Sequence, residues 1–256
     1  MIRAITAGLV AAGAAIAFAQ GPAFDAASVK VNRSGSADST IGIIPGGAYR
    51  AVNTTLARII PDAFAVMPFQ VTGGPAWLAT DRFDIIANPP ADARPDQLPA
   101  MLQALLVERF ALKTHRAPQD RPIYTLTLVE SGTNGPKLAK SSLDCDQQEA
   151  DKKLTPACQS MMGVGRGGGQ LAIKGRGLAI LARTLGGVVG RVVTDQSGLT
   201  GKYDIELKWS AGDAAATSND PEIFSAVREQ LGLQLKPATG PVEMVVIDSV
   251  ERPTAD

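Results

Sequence analysis

The chain carries one imidazole, His115, inside the basic run Lys113-Thr114-His115-Arg116-Ala117-Pro118-Gln119-Asp120-Arg121. A nucleophilic triad needs such a base beside an activated serine or cysteine. Neither G-x-S-x-G nor S-x-x-K occurs in the sequence, so the partners that would make His115 a general base are missing. Read with Lys113, Arg116 and Arg121, it belongs to a basic hairpin turn that faces solvent or meets an anionic partner. Carboxylates offer the other acid–base chemistry. Asp81 lies near Asp84, and Asp204 and Glu206 share one face of an extended strand. Phe83-Asp84-Ile85 and Tyr203-Asp204-Ile205 are the same motif twice, however, and a group recurring in this way reads as a brace for a turn. The 12 aromatic residues are spread along the chain and form no sugar platform.

One His and two Cys cannot build a four-ligand zinc site or an iron–sulfur centre from those residue types, so neither a metal nor a cofactor is expected. Gly163-Val164-Gly165-Arg166-Gly167-Gly168 fits G-x-G-x-x-G by letter. A dinucleotide fingerprint must follow a strand and open a helix, whereas this one follows a polar stretch and precedes a strand. Cys145 and Cys158 lie 13 apart in a polar segment, without the C-x-x-C spacing of a redox pair, and read as a local disulfide.

The elements that must position these groups come in two sets. Val71-Thr72-Gly73-Gly74-Pro75-Ala76-Trp77-Leu78-Ala79-Thr80-Asp81-Arg82-Phe83-Asp84-Ile85 recurs, two residues shorter, as Val193-Thr194-Asp195-Gln196-Ser197-Gly198-Leu199-Thr200-Gly201-Lys202-Tyr203-Asp204-Ile205. The flanking segments keep the same order, which is the signature of an internal repeat. Each copy reads strand, helix, strand, strand, helix, strand, strand. In the first copy the strands fall near 48–52, 69–72, 82–87, 109–114 and 122–129, and the helices at Thr55 to Phe64 and Asp96 to Glu108. The second copy places its helices at Gly177 to Val189 and Asp220 to Leu231. The fold class expected is α+β, two tandem modules at 45–130 and 167–252 with helices packed on a sheet, joined by a linker at 131–166 that holds the disulfide. Residues 20–44 form a lead-in, with a strand at Ala26–Val31 followed by a Ser/Gly-rich stretch.

Met1-Ile2-Arg3, the apolar run Ala4 to Phe18 and the small-x-small Ala17-Phe18-Ala19 read as a signal peptide at 1–19. The run is shorter than the roughly 20 residues that span a bilayer. The mature chain is therefore expected in the periplasm or medium, without a membrane span. The 25 Lys+Arg balance 25 Asp+Glu, which removes the charge footprint of a nucleic-acid binder.

Phe24-Asp25-Ala26-Ala27-Ser28-Val29-Lys30, the Gly73-Gly74-Pro75-Ala76-Trp77-Leu78 block with Arg82-Phe83-Asp84-Ile85, Met101 to Leu106 with Arg109-Phe110, and Gly240-Pro241-Val242-Glu243 carry a resemblance across nearly the whole mature chain. It resembles the Solibacter-type family of soil-bacterial secreted proteins, a domain of unknown function with many paralogues. The resemblance implies export to the envelope and supplies no activity, ligand or catalytic residues. Some relatives are fused behind membrane sensor-type metallopeptidases, which implies an envelope sensing or interaction role; no H-E-x-x-H occurs here. Each module is also similar in element order to the short N-terminal domains of secretins and TonB-dependent receptors. The function expected is non-catalytic binding of an envelope protein, peptide or polymer, through Trp77 as an aromatic anchor and His115, Arg116 and Arg121 as a basic patch. The alternative is an envelope or extracellular hydrolase using His115 and a carboxylate such as Asp84.

Overall fold

The computed structural model describes residues 22–130, 133–151, 153, 155–165, 167–210 and 220–253. The expected signal peptide lies outside them. In chain order the elements are β1 (Ala26–Val31), β2 (Thr40–Ile43), β3 (Tyr49–Thr55), α1 (Leu56–Phe64), β4 (Val71–Gly73), α2 (Trp77–Thr80), β5 (Arg82–Asn88), α3 (Leu98–Phe110) and β6 (Lys113–Leu128). There follow β7 (Leu138–Lys140), α4 (Cys145–Ala150), β8 (Met161–Gly165), β9 (Gly168–Arg176), α5 (Leu178–Val189), β10 (Val193–Asp195), β11 (Tyr203–Ser210), α6 (Ile223–Leu231) and β12 (Leu233–Ser249). The class is α+β. No helix among the described residues is long and apolar enough to cross a membrane.

The described residues form two compact units, one from those within 22–66, 73–114 and 247–253, the other from those within 67–72 and 115–246. In the first, a four-stranded sheet has the order β1-β5-β3-β2. The lead-in strand β1 runs antiparallel to β5, with Val29 opposite Ile85. Period-two alternation in β5 buries Phe83, Ile85 and Ala87. Leu56, Ile59, Ile60 and Ala63 of α1 and Met101, Leu102, Leu105 and Leu106 of α3 are buried with them. The Phe83 and Phe110 rings meet edge to face at 5.2 Å.

The second unit holds a sheet of order β7-β11-β9-β8 and the strands β10-β6-β12-β4 of a third. Its main core takes Leu171 and Ile173 from β9, Ile205 and Leu207 from β11, Leu181 and Leu185 from α5, Val227 and Leu231 from α6, and Leu126, Leu233 and Leu235 from β6 and β12. The first two sheets share one strand order when β1, β2, β3 and β5 are set against β7, β8, β9 and β11. The left-handed residues that end α1 and α3, Ala65 and Ala111, have their counterparts in Gly190 and Gly232 after α5 and α6.

Two expectations from sequence are corrected. The hairpin between 114 and 122 does not exist, because Lys113–Leu128 is one unbroken strand of 16 residues. Pro118 and Pro122 suggested a turn, but proline removes a donor without forbidding extended backbone. The matching turn at Lys236 to Gly240 is likewise absorbed into the 17 residues of β12. The segment read as a linker carries β7, α4 and β8, of which β7 pairs with β11 and β8 with β9. The glycine motif falls at the hairpin of β8 and β9, where Gly165 lies opposite Gly168.

The recurring aspartates brace bulges. In β3 the register with β5 slips between Ala51 and Thr54, and Asn53 there is left-handed with φ 52°. Asp84 Oδ1 accepts the Asn53 N–H at 2.8 Å and the Asn32 side-chain amide at 2.8 Å, while Arg82 donates to the Asn53 carbonyl at 2.8 Å. In β9 Asp204 accepts the N–H of Gly175, φ 59°, at 2.9 Å. A bulge strands one backbone N–H from the ladder, and a carboxylate aimed at it satisfies that donor. Asp84→Ala and Asp204→Ala are each expected to cost about 2 kcal/mol, the worth of a charge-assisted hydrogen bond plus an orphaned donor. Urea titration of each variant checks this, and an unchanged midpoint would remove the bracing role.

Candidate functional site

In the second unit, the face of the third sheet away from the main core carries a small apolar cluster, Ile123, Val242 and Met244, with Val192, Ala238 and Val246 packed against it. An open cavity of about 310 Å³ sits here. Phe69, Val71, Val192, Val242 and Met244 line it with apolar side chains, and Arg121 and Arg191 are also among its lining residues. No Asp or Glu is among its lining residues.

Each arginine is positioned by its strand context. Arg121 extends from β6 and donates to the Gln119 side-chain oxygen at 2.6 Å. Arg191 follows the left-handed Gly190 that ends α5, and its own N–H returns to the Gly186 carbonyl at 3.2 Å. β10 then runs parallel to β6 with Val193 opposite Tyr124, and the Tyr124 N–H donates to the Val192 carbonyl at 2.9 Å. This register brings the Arg191 guanidinium over the Tyr124 ring, 5.4 Å from its centroid. Phe224 holds that ring from the side, edge to face at 5.4 Å.

Of the residues singled out from sequence, only Arg121 lines this cavity. His115 and Arg116 are exposed residues of the same strand, β6. Trp77 lies in the first unit on α2, half-buried, its ring edge to face with Phe83 at 6.4 Å and beneath the Arg252 guanidinium at 5.0 Å. Arg252 also pairs with Asp81 at 2.8 Å. Asp84, offered as a partner for His115, commits its carboxylate to the bulge and to Asn32. Sequence reading passed over Arg191. The signal was present in the repeat: counting back two from the aligned Val71-Thr72 and Val193-Thr194 sets Arg191 against Phe69, and both line the cavity.

Cys145 and Cys158 form the disulfide, with Cα atoms 5.4 Å apart and both side chains buried. The bridge fills the space beside Gly175, where a Cβ would lie 2.6 Å from the Cys145 sulfur. Around it an ion cluster ties α4 to the sheet. Asp146 meets Arg176 at 3.1 Å, Lys202 and the Gly177 N–H. Glu149 reaches Arg176, and Asp144 reaches Lys202 at 3.1 Å. The acidic residues of the polar segment, read from sequence as solvated, are thus partly engaged in a clasp. Burial opposes the charged form of Asp146, but Lys202, Arg176 and the Gly177 N–H outweigh it and hold its carboxyl below the usual range. Asp146 in turn raises the Lys202 ammonium. Among the described residues no group of three His, Cys, Asp or Glu is placed to hold a metal ion.

Fold and cavity define an α+β protein with an open, largely apolar cavity on a four-stranded sheet. Residues 57–250 match the family model described as "Protein of unknown function (DUF3738)", and the chain belongs to that family. No curated protein and no solved structure matches it.

Reducing the disulfide is expected to lower unfolding stability by about 3 kcal/mol on the chain-entropy account of its loop, measured by urea titration with and without reductant. The clasp adds a pH signature. Asp146, depressed in the folded state, contributes stability above the ordinary carboxylate range near 4 that is lost as pH falls through its folded value. Lys202, raised, contributes stability that is lost only as pH climbs through its folded value, above about 10.4. Asp146→Asn should flatten the acid limb of the stability–pH curve; a variant that keeps the wild-type limb would refute the clasp.

Proposed function

We propose that the chain is an exported, non-catalytic binding protein of the bacterial cell envelope, of the secreted Solibacter type, whose ligand seat is the cavity walled by Arg121 and Arg191. The observation that carries this reading is the cavity itself. It combines a packed apolar floor, with Met244 only 2% exposed, and a rim to which Arg121 and Arg191 both contribute. Seats of this kind bind by apolar burial and take their orientation from a few polar groups. The Cys145–Cys158 disulfide supports export, since such bonds persist in oxidising compartments. The shared strand order of the first two sheets supports the reading of two tandem copies of one module. His115 and Arg116, farther along β6, would extend the basic surface available to an envelope protein, peptide or polymer. Trp77 would contribute a separate aromatic contact from the first unit.

Two measurements test this. Expressed with residues 1–19 in place, the chain should appear in the envelope or medium fraction with Gln20 as its new N-terminus; a cytoplasmic chain that retains Met1 would refute export. Capture of envelope components by the purified protein should fall at least severalfold in the Arg121→Ala/Arg191→Ala double variant at unchanged melting temperature. Equal capture by wild type and double variant would move the seat elsewhere.

A further inference from the structure

We infer that β8 pairs antiparallel with β8 of a second copy of this chain, about a two-fold axis at Gly163, joining two four-stranded sheets into one. The pairing is independent of the cavity and of any ligand it takes.

The strand itself gives the first reason. β8 is an outer strand of the order β7-β11-β9-β8, so one side of its backbone has no ladder partner among the described residues. All five of its residues, Met161-Met162-Gly163-Val164-Gly165, are exposed, Met161 at 63% and Val164 at 62%. Sheet edges are ordinarily blunted by lysine, proline or a bulge. At the opposite edge β7 buries Leu138 and ends on Lys140, and in the first unit the edge strand β1 carries Lys30. β8 has neither charge nor proline, and its register with β9 runs from Met161–Ala172 to Gly165–Gly168 without a slip. β2, the matching edge of the first unit, is half-buried at Ile41 and Gly42.

The sheet face gives the second. Leu207 lies opposite Leu171, and Leu171 opposite Met162. Both leucines are buried in the main core, so an apolar row that begins in the core runs out to Met162 in water. Trp209, Gly169 and Val164 make a neighbouring row on the same face. A strand that is itself apolar continues both rows and removes their ends from solvent.

That strand is the molecule's own. Antiparallel self-pairing is an isologous contact that closes after two copies, and the residues of β8 complement one another about Gly163. Met162 faces Val164 of the second copy, an apolar cross-strand pair on the core side of the sheet. Met161 faces Gly165, where a Cβ would find nothing within 4 Å, so the long side chain meets open space. Gly163 meets itself at the axis, where two larger side chains would crowd. Every pair sets residues of like parity opposite each other, as an antiparallel ladder requires, and no charge is brought against its own copy.

Sedimentation of the full chain, purified after export, tests this. Two strands of five residues make a contact smaller than the roughly 1,200 Å² of a standard interface, so association is expected between about 10 µM and about 1 mM. Over that range the mass should rise from one chain to two and stop there. Met162→Lys/Val164→Lys and Met162→Glu/Val164→Glu, both at exposed positions, should each weaken association at least tenfold with unchanged circular dichroism, and an equimolar mixture of the two should restore it. Cysteines read the register. Gly163→Cys places its Cβ 3.9 Å from the Gln170 side chain, an ordinary contact, and should cross-link two copies on mild oxidation. Met161→Cys should not, because it lies about 13 Å from its own copy at ~3.4 Å per residue, too far for a disulfide. A wild type that stays monomeric to about 1 mM overturns the inference and leaves the edge to an extended peptide of another protein. A dimer that both charge variants preserve overturns it as well, and so does a mass that climbs past two chains, the mark of β8 meeting a different edge.

Discussion

A carboxylate aimed at one stranded backbone N–H is the interaction on which both halves of the molecule are built. Strands β3 and β9 each have to pass from a sheet directly into a helix that covers that sheet, and an unbroken ladder would carry the chain past the core. A bulge bends the strand at the needed point, at the cost of a donor with no ladder partner. Asp84 and Asp204, from the neighbouring strands, satisfy that donor. The two bulges are then finished differently. Asn53 sends its side-chain amide to the Ser36 and Asp38 carbonyls at 2.8 and 2.6 Å, pinning the Ser/Gly-rich lead-in. Gly175 has no side chain, and the disulfide occupies the vacated space. One device thus fastens two unrelated neighbouring segments.

Much of this was legible in the residues. Apolar spacing located the helices to within about two residues at most ends, the strand Ala26–Val31 was placed correctly, and the duplicated Phe/Tyr-Asp-Ile motif pointed to a bracing role. What escaped has physical causes. Proline and polar residues in the middle of β6 and β12 mimic turn chemistry, and extended backbone carries no positive signal where its side chains face water. The polar segment around the cysteines looked solvated because the ion pairs of Asp146 with Arg176 and Lys202 span 30 and 56 positions, beyond any local pattern. Arg191 was overlooked because its contact with Tyr124 arises from a parallel pairing of β10 with β6, which only the distant recurrence of Val71-Thr72 as Val193-Thr194 could have hinted at.

Two kinds of positive surface are present, and they differ in character. His115 and Arg116 are exposed along a strand, where water screens their charge. Arg191 is stacked on a ring that is itself held edge to face. A guanidinium of fixed direction discriminates among acceptors more sharply than a mobile one. The basic strip contributes longer-range attraction instead.

The order β10-β6-β12-β4 also has a temporal meaning. Its second-to-last strand is the final one to be synthesised, and its outermost member was made far earlier; the Gln70 side chain reaches the Glu243 carbonyl at 3.0 Å across 173 positions. A sheet whose interior strand arrives after its edges cannot close until that strand has emerged, and such distant pairing is intrinsically slow. Until β12 emerges, β6 and β4 are therefore left without the strand that lies between them.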